Sequence, residues 1–233
     1  MPARAMILAA GRGERMRPLT DTRPKPLLEV RGKALIDWHV DALADAGIDR
    51  IAVNAAWLEE EVVDHFAAPR AGLRIDVSRE GRDFGGALET AGGIVRALPM
   101  LADPFWVVAG DVFAPGFEFT LEALDRFGAS GMLAHAFLVP NPGHNPGGDF
   151  GLAPGGHLTR EGVRPWTYST IGLYRHEFFS ALPAGNPQGV KAAMLPLMID
   201  AIARGRMTGE PYPGPWTDVG TPERLAALNA PVD

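Results

Sequence analysis

The sequence predicts an α/β fold with a mostly parallel mixed sheet flanked by helices. Between positions 5 and 109, short apolar runs alternate with segments of helical periodicity, and this alternation is typical of a parallel sheet covered by helices. After that point, strand-like runs are separated by Gly and Pro, which predicts a β-rich insertion at the edge of the main sheet. The expected architecture is therefore Rossmann-like with a β-rich addition.

In the first half, four apolar runs and the helical segments between them define the expected elements. The apolar run 5–10 ends at Gly11, which is typical of a buried strand that enters a loop. Gly47 stands where a helix over 35–46 should stop. The predicted strands are 5–10, 51–55, 73–77 and 105–109, and the predicted helices are 35–46, 57–66 and 88–98.

In the second half, the predicted strands are 132–139, 151–158 and 168–174, and the predicted helices are 190–203 and 221–228. The sequence contains no internal repeat, no low-complexity tract and no linker long enough to separate two independent domains. We therefore expect a single domain over residues 1–233.

Composition and charge exclude several classes of function. The net charge of −6 argues against general nucleic-acid binding, which needs a broad basic face. The absence of cysteine excludes disulfides, thiolate metal sites and thiol catalysis. No apolar stretch approaches the roughly 20 residues that span a bilayer, and the N-terminal apolar run is too short for a secretory signal. We expect no membrane association and a cytoplasmic location.

A glycine turn with a local excess of positive charge follows the first predicted strand. Residues 8–27, "LAAGRGERMRPLTDTRPKPL", carry five basic side chains against Glu14 and Asp21. Glycine N–H groups and arginines are a phosphate-binding combination, although a strand-ending turn with solvated arginines fits the same letters. Met16 stands where a dinucleotide fingerprint needs its third glycine, which excludes a nicotinamide-dependent dehydrogenase, and no P-loop motif is present.

Lys25 is flanked by two prolines in the same segment. Pro24 and Pro26 each fix φ and push the preceding residue toward an extended backbone, so Lys25 is expected on a stiff extended strut. A lysine that only improves solubility needs no such support. A lysine that neutralises charge on a phosphoryl group does need it, because positioning and electrostatics carry that chemistry.

These motifs resemble those of the sugar-phosphate nucleotidyltransferases. The segments "LAAGRGERMRPLT" and "RPKPLLEVRGKALIDW" are similar to the family's signature L-A-A-G-x-G-x-R-x-x-P-x-T followed by P-K-P-L. The later segments "LETAGGIVRAL", "VVAGDVF", "NPGHNPGGDFGL" and "WTDVGTPERL" extend the resemblance over nearly the whole chain. It implies a GT-A-like fold in which residues 1–112 form a nucleotide-binding half and residues 113–233 a sugar-phosphate-binding half.

The resemblance also implies a Mg²⁺-dependent reaction and a set of site residues. The phosphate of a sugar 1-phosphate would attack the α-phosphorus of a nucleoside triphosphate, with UTP the expected one, and pyrophosphate would leave. By motif, Arg15 would hold the β- and γ-phosphates, Lys25 would reach the α-phosphate, and Asp111 and Asp218 would hold Mg²⁺. The expected nucleotide contacts are Ala10, Gly11, Gly13, Glu89, Thr90 and Gly92.

A metal site is also supported by the residue types themselves. Without cysteine, and with six scattered histidines, a hard ion bound by oxygen is the expected metal. Asp111 directly follows a strand, where ligands bind in open α/β sheets, and carboxylates with phosphates suit Mg²⁺. Two alternatives stay open at this point: Asp111 as the cap of a turn, and Asp218 as part of an ordinary helix start before "GTPERL".

The sugar side is less defined by the sequence. Asn141, His144 and Asp149 lie in a Gly- and Pro-rich segment that fits either a mobile loop over the substrate or an ordinary hairpin connection, and they are candidates for sugar or loop-ordering contacts. The resemblance adds Glu161 as a candidate for sugar hydroxyls. Ala109 stands where close relatives carry asparagine, so one polar contact to nucleotide or sugar is expected to be missing.

The base, the sugar and the assembly remain open. Mannose or heptose 1-phosphate with GTP, or another nucleotide-sugar pyrophosphorylase pair, is the alternative within the enzyme class. A nucleotide-sugar sensor without catalysis would predict loss of Lys25, Asp111 or Asp218, and all three are present. Some relatives trimerise through an added C-terminal β-helix; this chain stops at Asp233 after its last predicted helix, so a monomer is expected.

Overall fold

A computed structural model describes residues 2–231 and places a seven-stranded sheet between two layers of helices. The strands are β1 (Ala3–Leu8), β2 (Glu29–Val30), β3 (Lys33–Ala34), β4 (Arg50–Ala55), β5 (Arg74–Arg79), β6 (Leu101–Ala109), β7 (Val112–Phe113), β8 (Ala134–Pro140), β9 (Gly151–Leu152), β10 (Leu158–Thr159), β11 (Trp166–Tyr174), β12 (Met207–Pro211) and β13 (Thr217–Asp218). The α-helices are α1 (Leu35–Asp45), α2 (Glu59–His65), α3 (Glu80–Phe84), α4 (Glu89–Ala97), α5 (Leu121–Ala129), α6 (Met194–Ala203) and α7 (Pro222–Asn229). Within residues 2–231, no helix has the length and apolar character that a membrane crossing requires.

The strand order of the large sheet is β12-β8-β11-β6-β1-β4-β5. β11 is antiparallel to both of its neighbours, and the other pairs are parallel. β1 pairs with β4 on one side and with β6 on the other, so the strand order reverses at β1. In open α/β sheets, ligands bind beyond the carboxyl ends of the strands at such a reversal. The predicted mixed, mostly parallel sheet flanked by helices is confirmed.

Both faces of the sheet are buried, which explains why its strands are apolar runs and do not alternate with polar residues. On β6, Trp106 and Val108 pack into the cluster under α1, α2 and α5, while Phe105 and Val107 pack into the cluster under α4 and α6. The aromatic side chains near Trp106 interlock edge to face, as its ring does with the ring of Phe119 at 5.2 Å. The core therefore fixes β6, and with it the loop that follows.

The second half of the chain joins the same sheet. β8, β11 and β12 extend it beyond β6, so the predicted β-rich part lies at the edge as expected. The predicted strand 151–158 is wrong: it is a small hairpin of β9 and β10, because Gly155 and Gly156 turn the chain with φ of +78° and +77°. The predicted helix 190–203 starts later, at Met194, because Asn186 Oδ1 accepts a hydrogen bond from Val190 N at 2.7 Å and keeps that residue in a loop.

His39 is a buried histidine on α1 that supports β7. It is 2% exposed, and its Nε2 lies 2.9 Å from the carbonyl oxygen of Val112. Because a carbonyl only accepts, Nε2 carries the proton, and the ring is neutral with an unprotonated Nδ1. Burial lowers the pKa of His39 to about 4, against the opposing effects of the Val112 hydrogen bond and the Asp111 charge.

This depressed pKa predicts an acid-sensitive step in stability. The unfolded chain binds a proton at His39 near the ordinary pKa of 6.5, and the folded protein does so only near 4, so stability is full above pH 6.5 and falls as the pH drops toward 4. The expected loss is about 3 kcal/mol at pH 4. Urea unfolding between pH 8 and 4 measures it, with His39→Gln as the comparison because its amide still donates to Val112. Equal pH slopes for both proteins would contradict this account.

Candidate active site

A cavity of about 530 Å³ opens at the carboxyl ends of β1, β4 and β6, where the strand order reverses. Its volume is that of a typical small-ligand site. Seven of the predicted site residues line it: Ala10, Gly11, Glu89, Thr90, Ala109, Asp111 and Asp149. β11 adds Tyr168 and Thr170 to the lining, and α6 adds Met194, Leu195 and Met198. Residues from both halves of the chain thus share one cavity.

The glycine turn is built around Thr20. Gly13 has φ of +67°, and a Cβ there would lie 3.0 Å from Thr20 Cγ2 and 3.2 Å from Lys25 Cβ. Thr20 is fully buried, and its hydroxyl donates to the carbonyl of Gly13 at 2.9 Å. Only glycine fits this position without moving its neighbours. The turn therefore packs the Lys25 side chain closely against the backbone of Gly13.

Most of the positive charge in this segment serves the turn itself. Arg12 donates to Thr20 O at 2.8 Å and to Asp21, and its guanidinium lies 3.5 Å from the Trp57 ring centroid. Arg17 also pairs with Asp21, at 2.8 Å. The pKa of Asp21 is lowered, chiefly by its hydrogen bond from Arg12. These cations therefore have structural partners and are not simply solvated.

Arg15 and Lys25 are the cations of this segment that lie beside the predicted metal ligands, Arg15 near Gly220 and Lys25 at Asp111. Arg15 is exposed and forms no hydrogen bond or ion pair with any residue in the range 2–231; its Nη2 would lie 3.3 Å from a Cβ on Gly220. Lys25 is only 9% exposed, and its Nζ lies 2.6 Å from Asp111 Oδ2. The expected extended strut at Lys25 is wrong: Lys25–Leu27 is a 3-10 turn. Pro26 is tolerated there because its fixed φ suits a helical turn.

Asp111 and Asp218 are brought together by a two-stranded ribbon. β7 follows Asp111 and pairs antiparallel with β13, placing Asp218 opposite Val112. Val219 N donates to Asp111 O at 2.9 Å and extends this pairing. The two residues are far apart in the chain, and no local pattern predicts the ribbon. It favours the reading of both aspartates as site residues over a turn cap and a helix start.

Each of these carboxylates has one oxygen paired with a cation, Lys25 for Asp111 and Arg224 for Asp218. Asp218 Oδ2 accepts from Arg224 Nη1 at 2.6 Å, while its buried Oδ1 has no hydrogen-bond partner among residues 2–231. His144 Nε2 lies 3.0 Å from that Oδ1 without hydrogen-bond geometry. Within the same described range, no group of three or more His, Asp or Glu forms a complete metal site. Two such carboxylates fit Mg²⁺, which completes its shell with water and substrate phosphates.

The 141–149 loop is ordered by Asn141. Its Nδ2 donates to Arg164 O at 2.8 Å, and its Oδ1 accepts from Thr167 Oγ1 at 3.0 Å. The sequence predicts either sugar contacts or loop-ordering contacts for Asn141. The structure shows loop-ordering contacts, and Asn141 does not line the cavity. Asp149 does line it, and its Oδ2 accepts from Tyr168 N at 2.9 Å.

Two predicted contact residues lie away from the cavity. Gly92 is buried in α4 under the loop before α6, and a Cβ there would lie 2.5 Å from Val190 O. Its glycine is explained by this close packing rather than by contact with a base. Glu161 lies in an exposed turn after β10, where its backbone N donates to Thr159 Oγ1 at 3.1 Å. Neither residue lines the cavity, and their contacts with a substrate stay predictions.

Thr170 is a cavity residue that the sequence did not reveal. It has φ of +64°, at a point where the pairing of β11 with β8 shifts register between Tyr168 and Gly172. Ser169 pins this bulge, because its Oγ donates to Phe137 O at 2.7 Å and its carbonyl accepts from Trp216 Nε1 at 2.9 Å. A threonine inside an apolar run predicts an ordinary strand, so no local signal marks the bulge.

The backbone of Thr170 predicts a variant that is more stable but binds less well. A β-branched residue at positive φ is strained, and Thr170→Gly should raise the free energy of unfolding by about 1 kcal/mol after the entropy cost of glycine. If the sugar 1-phosphate implied by the sequence resemblance lies on this side of the cavity, the lost side chain should raise its KM and leave KM for the nucleotide unchanged. Urea unfolding and steady-state kinetics measure both, with Thr208→Gly on β12 as a control that should destabilise. A less stable Thr170→Gly protein would contradict the strain argument.

Comparisons with known proteins agree with this geometry. The family model described as nucleotidyl transferase matches residues 4–156. An N-acetylmuramate alpha-1-phosphate uridylyltransferase of Neisseria meningitidis is 44% identical over 236 residues, covering 97% of each chain. A protein of the same name from Caulobacter vibrioides is 35% identical and covers 98% of this chain and 96% of its own.

The solved structure of HddC from Yersinia pseudotuberculosis, complexed with GMP-PN, has the same fold, with a TM-score of 0.74 and coverage of 97% of both chains at 18% identity. The predicted GT-A-like fold is thereby confirmed. The family match extends over the glycine turn, Lys25 and Asp111, and the two named relatives extend the similarity to nearly the full chain. This protein belongs to the nucleotidyltransferase family.

Proposed function

We propose that this nucleotidyltransferase couples UTP to N-acetylmuramate 1-phosphate, forming UDP-N-acetylmuramate and pyrophosphate. The names of the two relatives that align over nearly their whole length support this choice of substrates. The observation that carries the proposal is the single cavity bounded by the glycine turn, by Asp111 beside Lys25, and by Asp149 and Thr170 of the second half. On this proposal the cavity would hold the two substrates side by side.

On this proposal the nucleotide occupies the side built by residues 1–112. Ala10 and Gly11 of the glycine turn line the cavity, and so do Glu89 and Thr90 at the start of α4. Backbone N–H groups near a glycine turn and a helix start favour an anionic ligand with a planar base. Residues 113–233 supply Asp149 and Thr170 on the opposite side, where the sugar phosphate would lie.

Arg15 and Lys25 would each bind a different part of the triphosphate. Arg15, which has no partner among residues 2–231, would hold the β- and γ-phosphates. Lys25 would bridge to the α-phosphate from its partly enclosed position, where a charge acts more strongly than in bulk water. The attacking group is the substrate's own phosphate, already anionic near neutral pH, so the protein needs no general base. Its task is to offset the repulsion between two anions.

Asp111 and Asp218 are the residues that would hold Mg²⁺. The buried Oδ1 of Asp218 has no hydrogen-bond partner among the described residues, which is what an open ligand position requires. When bound, the ion would neutralise charge on the phosphate oxygens. Lys25 and Arg224 would keep the two carboxylates oriented toward it.

The product of this reaction would be an activated sugar of the bacterial cell wall, so we infer a role in the recycling of cell-wall sugars. We further infer that the protein acts in the cytoplasm and as a monomer. Sedimentation velocity of the purified protein tests the monomer, because a dimer would sediment as a clearly heavier species.

Pyrophosphate release with Mg²⁺, over a grid of four nucleoside triphosphates and several sugar 1-phosphates, tests the proposed function. Release with UTP and N-acetylmuramate 1-phosphate alone is the expected result. Release with GTP and mannose or heptose 1-phosphate would keep the chemistry but contradict the substrates. Tight nucleotide binding with no release from any pair would contradict the proposal and favour a sensor.

A further inference from the structure

A buried polar pair connects the loops that bound the nucleotide side of the cavity. Asn54 is 3% exposed and Glu80 is fully buried. Asn54 Oδ1 accepts from Ala9 N at 2.9 Å, and Asn54 Nδ2 donates to Glu80 Oε1 at 2.7 Å. Glu80 Oε2 in turn accepts from Leu88 N at 2.8 Å. Three hydrogen bonds in series thus run from the glycine turn to the start of α4.

The two ends of this series are the two walls of the nucleotide side. Ala9 directly precedes Ala10 and Gly11, which line the cavity. Leu88 precedes Glu89, which begins α4 with the uncommon φ of +60° and also lines the cavity. Backbone held in such a conformation persists only where its surroundings fix it. The Glu80 carboxylate supplies one such fixed point, through Leu88 N.

Helix α4 is pressed against the pair, which leaves it no room to shift. A Cβ on Gly93 would lie 2.5 Å from Glu80 Oε1 and 2.7 Å from Asn54 Nδ2. Burial raises the pKa of Glu80, and the hydrogen bonds from Asn54 and Leu88 oppose that rise. Burying a carboxylate costs free energy, and an apolar pair would fill the same space without that cost. The polar pair fixes the positions of Ala9 N and Leu88 N through directional hydrogen bonds, which an apolar pair would not do.

We propose that Asn54 and Glu80 are positioning residues for the nucleotide: they set the separation between the glycine turn and the start of α4 that the nucleoside triphosphate requires. This inference depends on the proposed function, because that function assigns these two loops to the nucleotide. Neither residue has a role in transferring the nucleotidyl group. Asn54 itself also lines the cavity, but its amide oxygen and nitrogen are engaged by Ala9 and Glu80, so the pair acts on the nucleotide through the backbone of residues 9 and 88.

Two single substitutions break the series, and their combination restores it. In Glu80→Gln, the amide NH₂ replaces one carboxylate oxygen. Asn54 Nδ2 and Leu88 N both need an acceptor, and one of them then faces a donor. Asn54→Asp places two carboxylates at the present 2.7 Å contact. In the combined Asn54→Asp, Glu80→Gln protein, the new carboxylate accepts from Ala9 N and from the glutamine amide, whose oxygen accepts from Leu88 N. Every donor then has an acceptor again.

We expect each single variant to weaken nucleotide binding about tenfold, because the loops shift to satisfy the orphaned buried group and binding must then restore their separation at a similar cost in free energy. KM for the sugar 1-phosphate should stay within about twofold of the wild type, because its side of the cavity is untouched. The combined variant should recover nucleotide binding to within about threefold of the wild type. Titration calorimetry with UTP gives the nucleotide Kd without turnover, and steady-state kinetics gives both KM values.

Asp37→Asn is the matched control, since Asp37 is a largely buried carboxylate that pairs with His65 and Arg70 away from the cavity. It should change urea stability without changing either KM. Equal rises of both KM values in the single variants, or a combined variant no better than they are, would overturn the proposal. So would single variants that lose stability yet bind UTP as the wild type does.

Different results would contradict the proposed function and the positioning role of Asn54 and Glu80. Wild-type protein that releases pyrophosphate only with another nucleoside triphosphate overturns the proposed substrates, and the same variants then test the positioning role with that nucleotide. Wild-type protein that binds none of the four triphosphates overturns both. If one single variant does not fold, the other and the combined variant still decide between positioning and stability alone.

Discussion

Lys25→Ala is expected to lower kcat by about three orders of magnitude, in line with the loss of one buried charge that stabilises a phosphoryl-transfer transition state. The ammonium group lies 2.6 Å from Asp111 Oδ2 and is only 9% exposed, so water cannot replace it in the same place. Removing it also leaves Asp111 without its positive partner. Steady-state pyrophosphate release measures the effect, with KM for both substrates recorded.

Lys33→Ala is the matched control for that experiment. Lys33 pairs with Asp41 at the surface, and its Nζ lies 4.6 Å from the Trp38 ring centroid, away from the cavity. Surface pairs of this kind contribute little, so activity and stability should stay near wild type. A Lys25→Ala protein that keeps more than about a tenth of wild-type kcat would show that this lysine does not act on the reacting phosphate.

Asp218→Asn is expected to lower kcat by about 10²-fold or more and to raise the Mg²⁺ concentration that gives half-maximal activity. The substitution keeps the size of the side chain and an acceptor for Arg224, which now donates to Asp218 Oδ2 at 2.6 Å. It removes the negative charge and with it the buried free oxygen that fits a cation. Titration of activity with Mg²⁺, after removal of divalent ions with EDTA, measures both effects.

Asp200→Asn on α6 is the control, because its exposed carboxylate pairs with the exposed Arg204 one helical turn later and not with any residue predicted to hold the metal. It should leave the Mg²⁺ dependence unchanged. A wild-type protein that keeps full activity in EDTA would contradict the metal assignment altogether. An Asp218→Asn protein with normal Mg²⁺ dependence would remove Asp218 from the metal site and leave Asp111 to be tested in the same way.

The order of strands and helices was predictable because each element is marked by the pattern of its own residues. Strands buried on both faces are short apolar runs, and helices between them show their own period, so the order of elements in residues 5–109 follows from the letters. The regions that failed are those where glycine or a loop contact overrides the pattern. Gly155 and Gly156 split a predicted strand, and Asn186 delays the start of α6.

The candidate site was predictable where a motif carries it and not where distant residues meet. The glycine turn, Lys25 and Asp111 are each marked by neighbouring glycines or prolines or by a strand end. The pairing of β7 with β13 joins segments that no local pattern relates. The sequence partly marks Asn54, because it is a polar residue near the end of an apolar strand. No local pattern marks Glu80 as its hydrogen-bond partner.

The positive charge of the glycine turn now has a physical explanation. Arg12 and Arg17 hold the turn together through Asp21 and Thr20, and Arg15 and Lys25 remain for the ligand. A chain of net charge −6 thus concentrates its cations where two anionic substrates must meet. The account therefore rests on direct reaction between substrates, with no nucleophile from the protein.

The hydroxyl groups at the cavity support direct reaction. Tyr168 OH shares a hydrogen bond with Tyr174 OH at 2.7 Å, and burial raises the pKa of Tyr168 well above its ordinary value, which keeps it protonated and a poor nucleophile. Thr170 Oγ1 donates to Ser169 O at 2.5 Å. The sequence contains no cysteine. Within residues 2–231, neither of these two hydroxyls is hydrogen-bonded to a carboxylate, histidine or lysine that could activate it, as a covalent mechanism would require.

Exchange of radiolabelled pyrophosphate into UTP distinguishes direct displacement from a covalent nucleotidyl-enzyme. The enzyme is incubated with UTP, Mg²⁺ and labelled pyrophosphate, with and without N-acetylmuramate 1-phosphate, and labelled UTP is measured. Direct displacement predicts label in UTP only when the sugar 1-phosphate is present, because pyrophosphate can re-enter only by attack on the nucleotide sugar. Label in UTP without the sugar 1-phosphate would reveal a nucleotidyl group held covalently by the protein and would contradict the account.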